Sequence, residues 1–406
     1  MRADIRAAHD AKHQEGCETD GDGTESPLYG DVLESVVERV TAPDLAAAAW
    51  VSREWLRAVR STLRRRPRRL PWLVVHRRRT TAAYDPHAGA WLAVHHAPRN
   101  ATPAHVRLVR GARGDRVCAL SSSGLDVAGD PLGLGTPAAR VVPMKAPAVW
   151  RVDPVLAAVG DRVVALGGAC RLALAEGEDA AAVEVHEDGG WTACDPMPPA
   201  LRESAAATWL SAAATDQRVY LVDRATGWAS WFDPAKRRWG PVRQLRPDAS
   251  VSTWAVAPGR AAAGADAERL VLFGAKREEN NVVVQTWEVD GDALDLSSSP
   301  GAANDAAMPG EMSEKLFPRE EDEGEMFLPS IGVCGNAVGG YVYNAAELGN
   351  GAVLYELREG RQKGSAVERW EWVPCAPSMR ADPVGRAILA SSPVGLDELV
   401  FPSRAC

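Results

Sequence analysis

Apolar positions first fall into a regular pattern after Ser26-Pro27, a cap residue followed by proline at the first helical position. The residues before them, 1–26, are polar, rich in Gly, Asp and Glu, and aperiodic, and are expected to form a disordered tail. Leu33, Val36, Val37 and Val40 then recur at i, i+3, i+4 and i+7, with Glu34, Ser35, Glu38 and Arg39 on the other side, which predicts an amphipathic helix. Thr41-Ala42-Pro43-Asp44 reads as a second helix start, continued by Leu45 and the alanines to Trp50. Val51, Trp55, Leu56 and Val59 mark the apolar face of a third. A unit of about 40 residues buries too little surface to be very stable alone, so it is expected to borrow a partner's surface.

From Trp72 onward the pattern becomes short β-rich runs separated by Gly, Pro and Asp turns. Two motifs repeat in it. The first is a polar residue, often followed by arginine, then a hydrophobic run: Asp115-Arg116-Val117-Cys118-Ala119-Leu120, Asp161-Arg162-Val163-Val164-Ala165-Leu166, Gln217-Arg218-Val219-Tyr220-Leu221-Val222 and Glu268-Arg269-Leu270-Val271-Leu272-Phe273. Weaker copies are Gly339-Gly340-Tyr341-Val342-Tyr343 and Asp397-Glu398-Leu399-Val400-Phe401. The second is a hairpin that ends on tryptophan: Tyr84-Asp85-Pro86 leads to Trp91, Phe232-Asp233-Pro234 to Trp239, and Val185 through Gly189-Gly190 to Trp191. Trp287 shares the even spacing of Trp191 and Trp239 but precedes its turn, so it is not equivalent to them.

A period of roughly 50 residues with a few short strands is the signature of a β-propeller blade, a sheet that cannot cover its own faces until neighbours stack around an axis. The turns divide the chain into six such units, 72–104, 105–147, 148–200, 201–247, 248–300 and 328–380, with 384–404 supplying the closing strand. The expected organisation is a tail over 1–26, a helical module over 27–66, and a propeller of six blades, with seven the alternative, over 70–406. An acidic loop insertion is expected at 301–327, where Arg319-Glu320-Glu321-Asp322-Glu323-Gly324-Glu325 reads as solvated.

The segment Leu28-Tyr29-Gly30-Asp31-Val32-Leu33, through Pro43-Asp44-Leu45, to Val51-Ser52-Arg53-Glu54-Trp55 resembles an F-box. The later units resemble kelch repeats, with double glycines at Gly167-Gly168 and Gly339-Gly340 that have become Ser122-Ser123, Asp223-Arg224 and Gly274-Ala275 elsewhere. The combination is similar to a large plant family. Pro71-Trp72-Leu73-Val74-Val75-His76 and Val149-Trp150-Arg151-Val152-Asp153-Pro154 are similar to its branch that binds chalcone synthase and lowers flavonoid production.

The resemblance implies a substrate receptor of a ubiquitin ligase. Leu28, Val32, Leu33, Val36, Leu45, Val51 and Trp55 would lie against a Skp1-type adaptor that joins a cullin and a RING subunit. The propeller would hold a target protein, with chalcone synthase or another phenylpropanoid enzyme as the candidate, for ubiquitination and degradation. The implied role is non-catalytic and needs no cofactor. The competing readings are a kelch scaffold without a ligase role and a propeller enzyme.

Composition narrows these choices modestly. A net charge of -8 speaks against a chain built as a whole to coat nucleic acid or anionic membrane. The arginine-rich stretch 53–79 reads as a solvated linker rather than a nucleic-acid patch. No apolar run reaches signal-peptide or membrane-span length, so the expected location is cytoplasm and/or nucleus, with no membrane partner. Seven scattered cysteines without C-x-x-C spacing are expected as free thiols, and no metal set is expected, since the eight histidines all precede residue 187 without ligand spacing.

Overall fold

Among the described residues, six antiparallel meanders follow one another along the chain after an N-terminal helical segment. The computed structural model describes residues 30–40, 44–45, 48–65, 70–77, 80–94, 106–122, 124–128, 141–169, 179–260, 267–278, 281–296, 307–318, 328–358, 366–381 and 387–392. The expected tail, the acidic run 319–325 and the weak motif at 397–401 lie outside the described residues.

β1 (Trp72–Arg77), β2 (Thr81–Asp85) and β3 (Ala90–Val94) form the first meander. It is completed from the far end of the chain by β24 (Ala387–Ser392), which pairs with β1 from Trp72↔Ser392 to Arg77↔Ala387. The second comprises β4 (Val106–Gly111), β5 (Arg116–Leu120), β6 (Leu125–Ala128) and β7 (Val141–Met144), and the third β8 (Val155–Val159), β9 (Arg162–Leu166), β10 (Val183–Glu187) and β11 (Gly190–Cys194). In the fourth, β12 (Leu210–Ala214), β13 (Val219–Asp223) and β14 (Trp228–Asp233) carry the short β15 (Arg238–Trp239) and β16 (Arg243–Gln244), both paired with β14. β17 (Val251–Pro258), β18 (Arg269–Glu278) and β19 (Asn281–Asp290) make the fifth. β20 (Ile331–Gly335), β21 (Gly339–Asn344), β22 (Ala352–Leu357) and β23 (Val367–Val373) make the sixth.

The leading strands close a circuit. β24 lies beside β4, β4 beside β8, β8 beside β12, β12 beside β17, β17 beside β20, and β20 beside β24 again. The chain is therefore mainly β and propeller-like, with its first and last described strands, β1 and β24, paired in one sheet. One join is tighter than stacking alone. β4 and β8 pair in parallel through Val109↔Leu156, Arg110↔Ala157 and Gly111↔Ala158, merging two meanders into one eight-stranded sheet.

The repeated sequence motifs now have physical roles. Each strong polar–hydrophobic motif opens or forms the second strand of its meander, β5, β9, β13 or β18. A strand covered on both faces reads as a continuous apolar run, and every residue of β13 is buried. The leading strands are rich in alanine, including Ala212, Ala213, Ala214, Ala255 and Ala257. Small side chains fit where the leading strands converge, and they line a narrow space between β12, β17 and β20. The tryptophan of each recurrent hairpin joins two meanders. Trp91, Trp191 and Trp239 pack on their own hairpins against Tyr84, His186 and Phe232 at 5.4, 5.2 and 5.2 Å between centroids. Their indole N–H groups donate to the backbone that leaves the previous unit, at Pro374, Lys145 and Asp195, over 2.8, 2.7 and 3.2 Å. A buried indole needs such an acceptor, and its ring area covers the seam between sheets.

Two expectations are corrected, on the insertion and on the double glycines. The insertion 301–327 is not a loop throughout, because Gly310–Leu316 is a helix with Leu316 and Ser313 buried and Ser313 Oγ donating to Val282 O at 2.5 Å. Among the described residues the fifth meander has three strands, and its outer edge is met by single bridges from Ala307 to Gln285 and from Leu296 to Val289. The two double glycines are not equivalent, since Gly167-Gly168 follow β9 whereas Gly339-Gly340 open β21. Gly168 has φ +66°, and a Cβ there would stand 2.3 Å from the Asp153 carbonyl carbon. Gly168→Ala is therefore expected to cost about 1–3 kcal/mol, read as a lower denaturation midpoint, while Gly349→Ala, where a Cβ meets nothing, serves as the control.

Candidate functional site

Two surfaces can meet another molecule: the helical module and one mouth of the ring. The module contains the helices Gly30–Arg39 and Arg53–Arg65, and between them residues 44, 45 and 48 are helical and 49–51 form a turn. Ser52 starts the second helix. Its carbonyl accepts from Leu56 N at 3.0 Å, its hydroxyl accepts from Trp55 N at 3.3 Å and donates to Glu54 at 2.9 Å. The backbone N–H of Glu54 itself, and then the Ser52 hydroxyl, hold the exposed Glu54 carboxyl below its usual range.

The inner face of the module is already occupied. Leu33, Val37, Leu45, Ala48, Ala49, Ala58 and Val59 form one core with Trp72, Val74 and Ala83 of the first sheet. β1 alternates accordingly, with Trp72 and Val74 toward the helices and Leu73 and Val75 toward Tyr341, Leu354 and Val373 of the sixth meander. This corrects the expectation that Leu33 and Leu45 face an adaptor. Leu33 is 2% exposed and Leu45 is fully buried, because a helix stripe beside a sheet buries itself there first. Val32 is 56% exposed and Val51 64% exposed, whereas Val36 and Trp55 are half-buried and Leu28 lies outside the described residues. Trp50, which periodicity assigned to the end of a helix, is 81% exposed beside Val51.

The segments that carried the finer family likeness are largely interior. Leu73, Val74 and Val75 are buried, and Arg151 is a buried clamp. Its guanidinium meets Glu184 at 2.7 Å and donates to Gly167 O at 2.6 Å and Ala182 O at 3.0 Å. Glu184 in turn accepts from Ala148 N at 2.7 Å. Burial pushes the Arg151 pKa down, against the bonds from Glu184. The clamp fixes the segment that leads to β8, and so places Val152 and Asp153 at the ring's mouth.

That mouth, where β4, β8 and β12 begin, holds a cavity of about 180 Å³ lined by Arg107, Arg110, Asp153, Leu156, Leu210 and Arg224, among others. Arg110 is paired with Asp115 at 2.9 Å, and Asp115 also accepts from Ser391 N at 3.1 Å and Ser391 Oγ at 3.2 Å, tying the closing strand to the second meander. Burial raises the Asp115 pKa. Arg107 donates to Val152 O at 2.5 Å, and Asp153 accepts from Thr208 N at 2.8 Å and Thr208 Oγ1 at 2.5 Å. Arg224 donates through Nη1 to Ile331 O at 2.6 Å. Its Nε is buried without a hydrogen-bond partner, and no carboxylate pairs with it among the described residues. Val152 and Trp209 are exposed next to the cavity lining.

The remaining candidates for chemistry are plain. Cys118, Cys194, Cys334 and Cys375 are free thiols, and burial pushes Cys118 up to about 12. Among the described residues no cluster of three or more His, Cys, Asp or Glu side chains could hold a metal, and no helix is long and apolar enough to cross a membrane.

Comparison with known proteins gives one extended match. An F-box/kelch-repeat protein of Arabidopsis thaliana is 31% identical over 400 residues, spanning 94% of this chain and 93% of that relative. No family model matches the chain. Among solved structures, apo AztD from Citrobacter koseri covers 80% of this chain and 100% of its own at TM-score 0.35 and 11% identity. The WD40 domain of SCAP from fission yeast covers 82% and 86% at TM-score 0.32 and 8% identity. Both scores lie below the level at which a shared fold follows.

Proposed function

The chain belongs to the F-box/kelch-repeat proteins, and from that premise we propose that it is the substrate receptor of a Skp1–cullin–F-box ubiquitin ligase. In this reading residues 27–66 dock on the Skp1-type adaptor, and 70–406, taken as six blades, hold the target protein. The receptor's contribution is positional. A target held beside a charged conjugating enzyme reacts as though intramolecular, so no residue of this chain need act as nucleophile or base. The protein would act in the cytoplasm and/or nucleus. Chalcone synthase is the first target to test, on the likeness of 71–76 and 149–154, and any specificity in those segments would reside in Val152 and Asp153, the part that reaches the mouth.

The observation that carries the docking proposal is the exposed set Val32, Trp50 and Val51 on a module whose other face is spent on the first sheet. Apolar side chains this open on a small helical unit are anchor material. The test is co-purification of the full chain with a Skp1-type adaptor. The native chain is expected to retain the adaptor, and Trp50→Asp with Val51→Asp to weaken retention by roughly 30-fold, the scale of about 2 kcal/mol for hot-spot loss. Unchanged retention by the double variant overturns the docking surface. Absence of adaptor from the native complex favours a second reading, a scaffold whose helices are only a cap, for which the shared core with β1 and β2 argues.

A further inference from the structure

Arg224 is a half-buried cation whose Nε is shut off from solvent and has no hydrogen-bond partner. It stands where the aligned repeat has Gly168, since Asp161 through Gly168 and Gln217 through Arg224 run in step. A glycine position on the ring's inner end has thus become a guanidinium. Its guanidinium donates to the neutral Ile331 carbonyl, its Nε is sealed and unbonded, and the positive charge of Arg110 repels it. Arg110 itself is neutralised by Asp115, so the carboxylate there is already used. Asp153, the acid in the lining, is held by Thr208. Burying a polar N–H without a partner costs about 1–3 kcal/mol, and more when the group is charged. A cavity of about 180 Å³ opens beside this group, whereas a single water needs only about 10–15 Å³ on the same measure. Apolar side chains adjoin the lining in the chain, Trp209, 62% exposed, before Leu210 and the exposed Val152 before Asp153.

We propose that this mouth is a peptide-recognition site in which Arg224, with Arg107 beside it, receives the carboxylate of an acidic side chain while Trp209 covers an apolar neighbour of that residue. The occupant is an acidic segment of a protein. A guanidinium and a carboxylate make the short, charge-assisted bond that Arg224 lacks, and the surrounding alanines and leucines exclude water from it. An exposed tryptophan next to a charged pocket gives the second half of a hot spot. The inference rests on the receptor reading for its biological meaning, but the chemistry can be tested separately.

The experiment is selection of a random twelve-residue peptide library on the immobilised full chain, repeated with Arg224→Gln, Arg107→Gln and Trp209→Ala. The expected result is enrichment of Asp or Glu at one position with an apolar neighbour, and at least a tenfold loss of affinity for a selected peptide in Arg224→Gln. Replacing that peptide's acid by its amide should lose as much. Thermal midpoints and circular dichroism of each variant separate a pocket effect from misfolding, and Arg107→Gln gives a second measure should Arg224→Gln not fold. Peptides without acidic enrichment, or equal binding of acid and amide forms, overturn the proposal. Stabilisation by inorganic phosphate that depends on Arg224, without acidic peptides, assigns the cavity to a free anion and also overturns it. Either result leaves adaptor binding untouched, so failure of the pocket is distinguishable from failure of the receptor role.

Discussion

Glu184→Ala is expected to lower the stability of the chain by about 3–5 kcal/mol, because it leaves a buried guanidinium without its counter-charge. Arg151 has no exposed side-chain surface, and Glu184 is nearly as enclosed. The pair is also extensively hydrogen-bonded, with Gly167 O and Ala182 O accepting from Arg151 Nη1 and Ala148 N donating to the other carboxylate oxygen. Removing Glu184 therefore costs the desolvation of Arg151 rather than the modest net worth of an ion pair. The control is Arg151→Met with Glu184→Leu, which removes both charges and should recover most of the loss. Chemical denaturation of the three forms measures the difference. A loss below about 1 kcal/mol in Glu184→Ala would show that water reaches the clamp and that it does not hold the 148–153 segment.

Leu33→Asp should be the more damaging of two aspartate substitutions in the helical module, at a cost of roughly 4 kcal/mol or more. Leu33 is packed among Val37, Leu45, Val59, Trp72 and Val74, so a carboxylate there is buried without a donor and a cavity opens around it. The damage should pass into β1, whose Trp72 and Val74 share that core. Val51→Asp, at an exposed position, should change stability by about 0.5 kcal/mol or less. Limited proteolysis of the helical module with denaturation of the whole chain distinguishes the two. Equal stability of both variants would mean that the module is not packed on the first sheet. The shared core also makes deletion of residues 1–66 a poor probe of docking, since it uncovers Trp72, Val74 and Ala83.

Much of the architecture was legible in the sequence, for identifiable reasons. A β-meander repeats its turn chemistry, so Asp85 and Asp233, which accept from the backbone of the two turns they begin, mark equivalent hairpins. The closing strand within 384–404 was foreseeable because an odd strand at the C-terminus has an open edge to fill, and β24 fills it. The Tyr355–Trp370 pair, in register across β22 and β23 at 6.3 Å, went unseen, because an extended connection separates two residues that elsewhere lie seven apart. The alanine runs looked uninformative for packing, and they prove to be what the converging leading strands accommodate.

The candidate site was less legible. Periodicity showed that Leu33, Val36 and Val37 share a stripe, and it could not say whether a sheet of the same chain or a separate protein covers it. Nor could it show that Asp223-Arg224, a degenerate glycine pair in one dimension, puts an unpaired cation at the ring's mouth.

What the sequence by itself determined is local and periodic: helix stripes, strand alternation, turn residues and the repeat length, each dictated by neighbours a few positions away. The tertiary structure alone decided which faces are spent and which are open, because burial depends on what arrives from distant parts of the chain. Trp72 meets the helices, Ser391 meets Asp115, and Arg224 meets Ile331 only once the ring has closed.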